Sequence, residues 1–248
     1  MSLLLAETRK LTTVWTTVII TAVGLALITA GTGFLLFESE FSGEFLGTDG
    51  QVADAIDQIG AMSVIALIVG LLSVTTEFRH ETIGRTLQLT PSRTRVVVTK
   101  MVVGAGYGLV FFLVGLVPVG LLLLVSGKEL ELGEAVTRSL WQGPVGLVLM
   151  AVFGVAIGAL LRSQVVAVAL TLIYVFVVET LFVQFVPSFG RWLPLQALNA
   201  MFTPDEMLAN LPEGAMQPLD PTMGLVVFLG YCAVAAAAAI TLMRVRDV

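Results

Sequence analysis

The side chains that could support acid–base, nucleophilic or metal chemistry are few in this sequence. It contains one histidine, His80, and one cysteine, Cys232, and no cluster of histidines, cysteines or carboxylates has the spacing of metal ligands. Gly127-Lys128 is followed by Glu129 rather than by serine or threonine, so no phosphate-binding loop is present. These observations argue against an enzyme. If ATP drives this protein, a separate subunit must supply the nucleotide site.

Composition places the chain in a membrane. Hydrophobic residues make up 57% of the 248 residues and charged residues only 12%, against about 25% charged residues in an average soluble domain. We therefore predict an all-α integral membrane protein. The net charge of −5 gives no indication of a nucleic-acid partner, and none is expected.

Apolar segments long enough to cross a bilayer recur along the chain, since a span needs about 20 residues. Residues 2–13 precede them, with leucines around Arg9 and Lys10, and are predicted to form a helix lying in the membrane interface. The six predicted spans are residues 14–37, 56–76, 96–125, 141–161, 165–186 and 223–243.

The distribution of charges predicts the orientation. Six spans place both termini on one side, and the excess of basic residues in short loops marks that side as cytoplasmic. Only Lys128, Arg138 and Arg191 fall on the other side, where the first loop is acidic. The ten basic residues assigned to the cytoplasmic side are Arg9, Lys10, Arg79, Arg85, Arg93, Arg95, Lys100, Arg162, Arg244 and Arg246.

Glycine spacing in two of the spans indicates close packing. Glycines recur in the third span (Gly104, Gly106, Gly108) and the fourth (Gly154, Gly158), a pattern that favours close helix approach in lipid.

Residues 187–222 hold six of the nine prolines among apolar side chains. We predict that this external segment forms one or two short re-entrant helices, a structure tolerated where protein or a cavity surrounds the backbone.

Glu179 is an ionisable residue deep in the fifth span, a placement that costs about 2.5–3.5 kcal/mol on insertion scales. It is a candidate for lining a substrate pathway or for gating. A hydrogen bond between helices, for instance to Tyr174, or hydration near the outer boundary would explain it equally well.

The most polar stretch of the first half runs from Glu77 to Lys100 and reads EFRHETIGRTLQLTPSRTRVVVTK. The pattern predicts an amphipathic helix from Glu77 to Leu89, a break, and a second helix for which Thr90-Pro91 supplies the N-cap and the first residue. A basic anchor against anionic lipid is the simpler interpretation of this loop.

The order Glu77, Thr82, Leu87, Pro91, Arg93 and Lys100 between the second and third spans resembles the signature loop of the type-2 permease family of ATP-binding cassette (ABC) transporters. The sequence departs from the family at Glu81, where a glycine often precedes the threonine. We expect this substitution to make the loop more helical. The resemblance covers essentially the whole chain.

The resemblance implies the transmembrane subunit of an ATP-driven exporter. Two such subunits, identical or homologous, would pair in the plasma membrane of a prokaryote, surrounded by membrane lipid. Two cytoplasmic P-loop ATPase subunits would hold ATP and magnesium, so this chain itself would need no cofactor. Loop 77–92 would dock on the ATPase. The candidate coupling residues are Glu77, Arg79, Thr82, Arg85 and Arg93, and Glu179 is the candidate pathway residue.

Two other functions stay open at this point. A non-transporting sensor or assembly scaffold could use the same fold. An ATP-independent secondary carrier is less favoured, because one intramembrane charge is visible and no inverted half-repeat is evident.

Overall fold

In the computed structural model, residues 3–42, 47–89, 92–203 and 216–245 are described, and they form helices joined by turns. They also include a π-helical turn, Tyr174–Val178, and a 3-10 turn, Ala200–Phe202. The helices are α1 Leu3–Thr13, α2 Trp15–Ser42, α3 Asp49–Ala61, α4 Ser63–Arg79, α5 Ile83–Leu89, α6 Arg93–Val125, α7 Glu134–Leu161, α8 Gln164–Ile173, α9 Glu179–Phe185, α10 Pro187–Gly190, α11 Pro194–Asn199 and α12 Pro221–Val245.

Among the described residues, six helical segments are long and apolar enough to cross a membrane, which confirms the predicted helical class and gives as many candidate spans as predicted. The side of the membrane on which each end lies stays a prediction. The candidate spans are Trp15–Glu38, Asp49–Arg79, Arg93–Val125, Glu134–Leu161, Gln164–Phe185 and Pro221–Val245.

The second candidate span begins seven residues earlier than predicted, at Asp49 rather than at residue 56. The cause is a polar helix start that hydropathy does not detect. Oε1 of Gln51 accepts hydrogen bonds from the N–H groups of Gly47 and Thr48, at 3.1 and 3.3 Å, and so closes the first turn of α3.

A helix covers Leu3–Thr13, within the predicted interfacial segment, and two short helices, α10 and α11, occupy the first part of the proline-rich segment. Each of these two begins at a proline, whose missing N–H costs nothing in a first helical turn. Their position in the membrane stays a prediction. The predicted cap Thr90-Pro91, Arg246 and residues 204–215 lie outside the described residues.

Contacts between residues divide the chain into two compact units. The first unit comprises Met1–Gly70 and Val98–Gly154. Its core includes Ile28, Ile59, Phe111 and Leu147, all almost fully buried. A Cβ atom on Gly108 would lie 2.6 Å from the Leu147 carbonyl oxygen, so glycine lets the backbones of α6 and α7 meet here, as the spacing predicts.

The second unit comprises Leu71–Val97 and Val155–Val248. A Cβ atom on Gly158 would lie 2.6 Å from the Leu71 carbonyl oxygen, which gives α7 and α4 an equally close approach. A Cβ atom on Gly224 would collide with the Ala197 carbonyl, so α12 holds the short helix α11 through backbone packing.

A buried ion pair fastens α1 to α6 within the first unit. Lys100 Nζ lies 2.6 Å from Glu7 Oε2, and the side chains are 2% and 4% exposed. Lys10 lies 2.7 Å from the other oxygen of Glu7 but is 43% exposed. Burial alone would raise the pKa of Glu7, but the ammonium groups of Lys100 and Lys10 outweigh it and hold the pKa below its usual value.

We predict that Glu7→Gln or Lys100→Met lowers the free energy of unfolding by about 3 kcal/mol, because each removes one half of the buried ion pair while the other charge stays buried. Lys10→Met is the matched control and should cost at most about 1 kcal/mol, since the Lys10 side chain is 43% exposed. Reversible unfolding in mixed micelles, followed by circular dichroism, measures these values.

The double variant Glu7→Gln/Lys100→Met should recover most of the loss, because no buried charge then remains. The contribution of the wild-type pair is complete above about pH 4.5, the ordinary pKa of Glu7, and disappears as the pH falls through its lower folded value. Additive losses in the double variant would contradict the account.

Candidate functional site

The end of α4 forms a complete Schellman motif. The Thr82 N–H donates to the Glu77 carbonyl at 2.9 Å, and the Glu81 N–H donates to the Phe78 carbonyl at 3.3 Å. These are the two bonds of that helix ending, which requires a left-handed residue at the position of Glu81. Glu81 has φ 55°, a conformation that favours glycine.

The expectation that Glu81 makes the loop more helical is therefore wrong. The predicted helix from Glu77 to Leu89 is interrupted, because α4 ends at Arg79 and α5 begins only at Ile83. Helix propensity describes residues inside a helix. Glu81 instead lies in the turn between α4 and α5, where the chain changes direction. The glycine that is frequent in the resembled family would fit this backbone better.

The helix α5 is short and begins after Thr82. The Thr82 carbonyl accepts the Thr86 N–H at 3.2 Å, which closes the first turn. Ile83 is 4% exposed, whereas Arg85 is exposed. The helix thus has one buried apolar side chain and one exposed cation.

Arginines hold the neighbouring helix ends of the second unit together. Arg79 Nη1 donates to Gln164 Oε1 at 3.2 Å, and the Arg162 guanidinium lies 5.3 Å from the centre of the Phe78 ring. These contacts join the end of α4 to the turn between α7 and α8. The turn itself depends on a second left-handed residue, Arg162, at φ 56°.

A second pair of arginines joins the start of α6 to the end of α12. Arg93 Nη1 donates to the Met243 carbonyl at 2.9 Å, and Arg244 Nε donates to Thr94 Oγ1 at 2.9 Å. Arg93 therefore satisfies a carbonyl in the last turn of α12, a position where cations are favoured.

The predicted coupling residues fall into two groups. Arg79, Thr82 and Arg85 are exposed, whereas Glu77 is 6% exposed and Arg93 is half-buried. A buried carboxylate does not contribute to an outer surface, so any effect of Glu77 on coupling would come from the position of the α4 terminus. The coupling roles of all five stay predictions.

Glu179 caps the N-terminus of the short helix α11. Its side chain is 1% exposed, and Oε1 accepts the Leu195 N–H at 3.1 Å. The Gln196 N–H and the Tyr174 hydroxyl lie near the carboxylate, but its second oxygen, Oε2, is buried without a hydrogen-bond partner among the described residues. A hydrogen bond from another helix is one of the predicted alternatives, but its donor is the backbone of α11 rather than Tyr174, which lies on the same candidate span as Glu179. A pathway role for Glu179 stays a prediction.

The helix is widened immediately before Glu179. Residues Tyr174–Val178 form a π-helical turn, which shifts the side chains that follow relative to a regular α-helix. Such turns are frequent at functional sites. The apolar sequence of this turn, YVFVV, gives no signal of it.

Asp49 is a second carboxylate whose role the sequence does not reveal. Its oxygens accept the N–H groups of Gly133, Ala135 and Val136 at 2.7, 2.8 and 3.0 Å. Asp49 thus caps the start of α7 from another helix of the first unit. The sequence signal for this cap is Gly133, directly before the start of α7 at Glu134. Because glycine has no side chain to cap the helix, the cap must come from elsewhere in the chain.

Within the described parts of the chain, no group of three or more histidines, cysteines or carboxylates could hold a metal ion. No protein-family model matches the chain, and the comparison with curated proteins finds no match either. Functional interpretation therefore depends on the geometry of the α4–α5 turn and on the contacts of Glu179.

We predict that Glu81→Gly stabilises the protein by about 1 kcal/mol, because glycine removes the steric cost of a left-handed L-residue. Glu81→Ala is the matched control: it also removes the carboxylate but keeps Cβ, and should give no such gain. Unfolding in mixed micelles measures both. Equal stabilisation by the two substitutions would show that charge, not backbone strain, is the cause.

Proposed function

We propose that this chain is the membrane-spanning subunit of an ATP-driven exporter related to the type-2 ABC permeases. It would pair with a second permease subunit and form the translocation pathway between them. Two cytoplasmic ATPase subunits would bind ATP and magnesium and drive the change between inward and outward access.

The observation that carries the proposal is the α4–α5 turn. The resembled signature has glycine before the threonine, and in this chain the same position, Glu81, is left-handed. Glu81 thus adopts the left-handed backbone conformation that glycine favours. The backbone conformation at this position therefore supports the resemblance, although the residue differs.

The turn also has the mechanical properties that coupling needs. Two backbone hydrogen bonds join it to α4, a candidate membrane span, so a force on α5 would pass to that span without a flexible linker. Arg79 and Arg85 are exposed beside the turn and are available to acidic groups on a partner.

Affinity purification of the tagged chain from its native membranes tests the proposal. We predict that a P-loop ATPase accompanies the wild-type chain at about one to one. Arg85→Glu should weaken this association about tenfold or more, because it reverses an exposed charge on the docking helix. Lys128→Glu is the control, since that exposed lysine belongs to the predicted outer side.

The results distinguish an error in the position of the docking surface from an error in the proposed function. Retention of the ATPase by Arg85→Glu at the level of Lys128→Glu would place the docking surface elsewhere. The absence of any ATPase from the wild-type complex would contradict the exporter function and favour a sensor, a scaffold or an ATP-independent carrier.

A further inference from the structure

The carboxyl group of Glu179 is buried with one of its two oxygens unpaired. The side chain is 1% exposed and belongs to the candidate span Gln164–Phe185. Oε1 accepts the Leu195 N–H at 3.1 Å, whereas Oε2 has no hydrogen-bond partner among the described residues. A negative charge on Oε2 would therefore have neither water nor a donor, and burying an unpaired charge costs far more than burying a neutral polar group.

Within the described part of the chain, no cation balances this carboxyl group. The groups that act on it are two backbone N–H groups and one hydroxyl, those of Leu195, Gln196 and Tyr174. Tyr231 of α12 lies close to Tyr174 and is neutral at ordinary pH. Arg191 follows α10, which packs on α9, but its guanidinium lies over the ring of Trp192, 5.7 Å from the ring centre. Glu179 thus has no positive partner.

A proton is the cation that fits this position. Because the side chain is 1% exposed, a hydrated ion or the ammonium group of a ligand cannot reach Oε2 in this structure. A proton needs no further space and no other ligand. With the proton on Oε2 the carboxyl group is neutral, and Oε1 still accepts the hydrogen bond from Leu195.

The Glu179–Leu195 hydrogen bond joins two elements of the second unit. Glu179 begins α9, directly after the π-helical turn, whereas α11 packs through its Ala197 carbonyl against Gly224 of α12. If α11 separates from Glu179, water reaches Oε2 and can solvate a charge there. The protonation of Glu179 is therefore linked to the contact between α9 and α11.

We propose that Glu179 binds a proton on Oε2 while α11 is docked, that is, while Leu195 donates to Oε1, and releases it when α11 separates. In the release step the O–H bond breaks, the proton passes to water, and a solvated carboxylate remains. The docked state holds one proton more than the separated state, so a rise in pH favours separation. This pH-sensitive contact does not depend on the proposed transport function.

Hydrogen–deuterium exchange of the full-length protein in detergent, followed by mass spectrometry, tests the proposal. Exchange of the peptide that contains Pro194–Asn199 is measured from about pH 5 to about pH 9, above the pKa of about 4.3 of a solvated glutamate, and corrected for intrinsic amide exchange. We predict that protection falls by up to about tenfold per pH unit, because separation releases one proton. Glu179→Gln should abolish this dependence, since glutamine keeps an acceptor oxygen but has no titratable proton.

Glu134→Gln is the matched control. Glu134 is exposed at the start of α7 in the first unit, so the substitution removes a glutamate without altering the contact of Glu179. The pH dependence of exchange in α11 should stay at the wild-type level.

Infrared spectroscopy detects the proton directly. A solvated glutamate is ionised at about pH 6. We therefore expect the wild type at this pH to show the carbonyl band of a neutral carboxyl group, which Glu179→Gln loses and Glu134→Gln keeps.

A protection of α11 that does not change with pH in the wild type would overturn the proposal without any variant. An equal pH dependence in the wild type and Glu179→Gln would assign the effect to another group and overturn it as well. If Glu179→Gln does not fold, the wild-type infrared spectrum decides: the absence of a neutral carboxyl band at about pH 6 would show that Glu179 is ionised.

Discussion

A helix that ends in an apolar environment leaves backbone N–H and C=O groups without water, and each such group must find a partner within the protein. This constraint explains the positions of three charged side chains. Asp49 receives the first N–H groups of α7, Glu179 those of α11, and Arg93 a last carbonyl of α12. In all three cases the side chain comes from a different helix, so one contact both caps a terminus and joins two elements.

The same constraint gives the α4–α5 turn its rigidity. Its Schellman bonds satisfy carbonyls of α4 within the chain, at the steric cost of a left-handed glutamate. The turn can then connect a candidate membrane span to α5 through hydrogen-bonded backbone. For this reason the geometry of the turn, rather than its basic composition, supports a coupling role. Arginines on a flexible loop would bind anionic lipid equally well.

The sequence alone predicts the helical class and the six spans, because apolar length is a property of each segment by itself. It does not predict the helix ends, which depend on partners far along the chain. Glu179 stands out as an unusual intramembrane acid, but its donor at Leu195 becomes evident only when the proline-rich segment folds back. The Glu7–Lys100 pair joins residues 93 positions apart and shows no periodic signal. The expectation for Glu81 is wrong because propensity describes helix interiors, not the turn between two helices.

The proposed coupling role requires the α4–α5 turn to face the cytoplasm, where ATP is. Single-cysteine variants Arg85→Cys and Lys128→Cys, made in a Cys232→Ser background, can be labelled with a membrane-impermeant maleimide. Both positions are exposed in the structure, so differences in labelling report the side of the membrane. The account predicts labelling of Lys128→Cys in intact cells and of Arg85→Cys only after permeabilisation. Labelling of Arg85→Cys in intact cells as fast as Lys128→Cys would place the turn outside, away from ATP, and contradict the account.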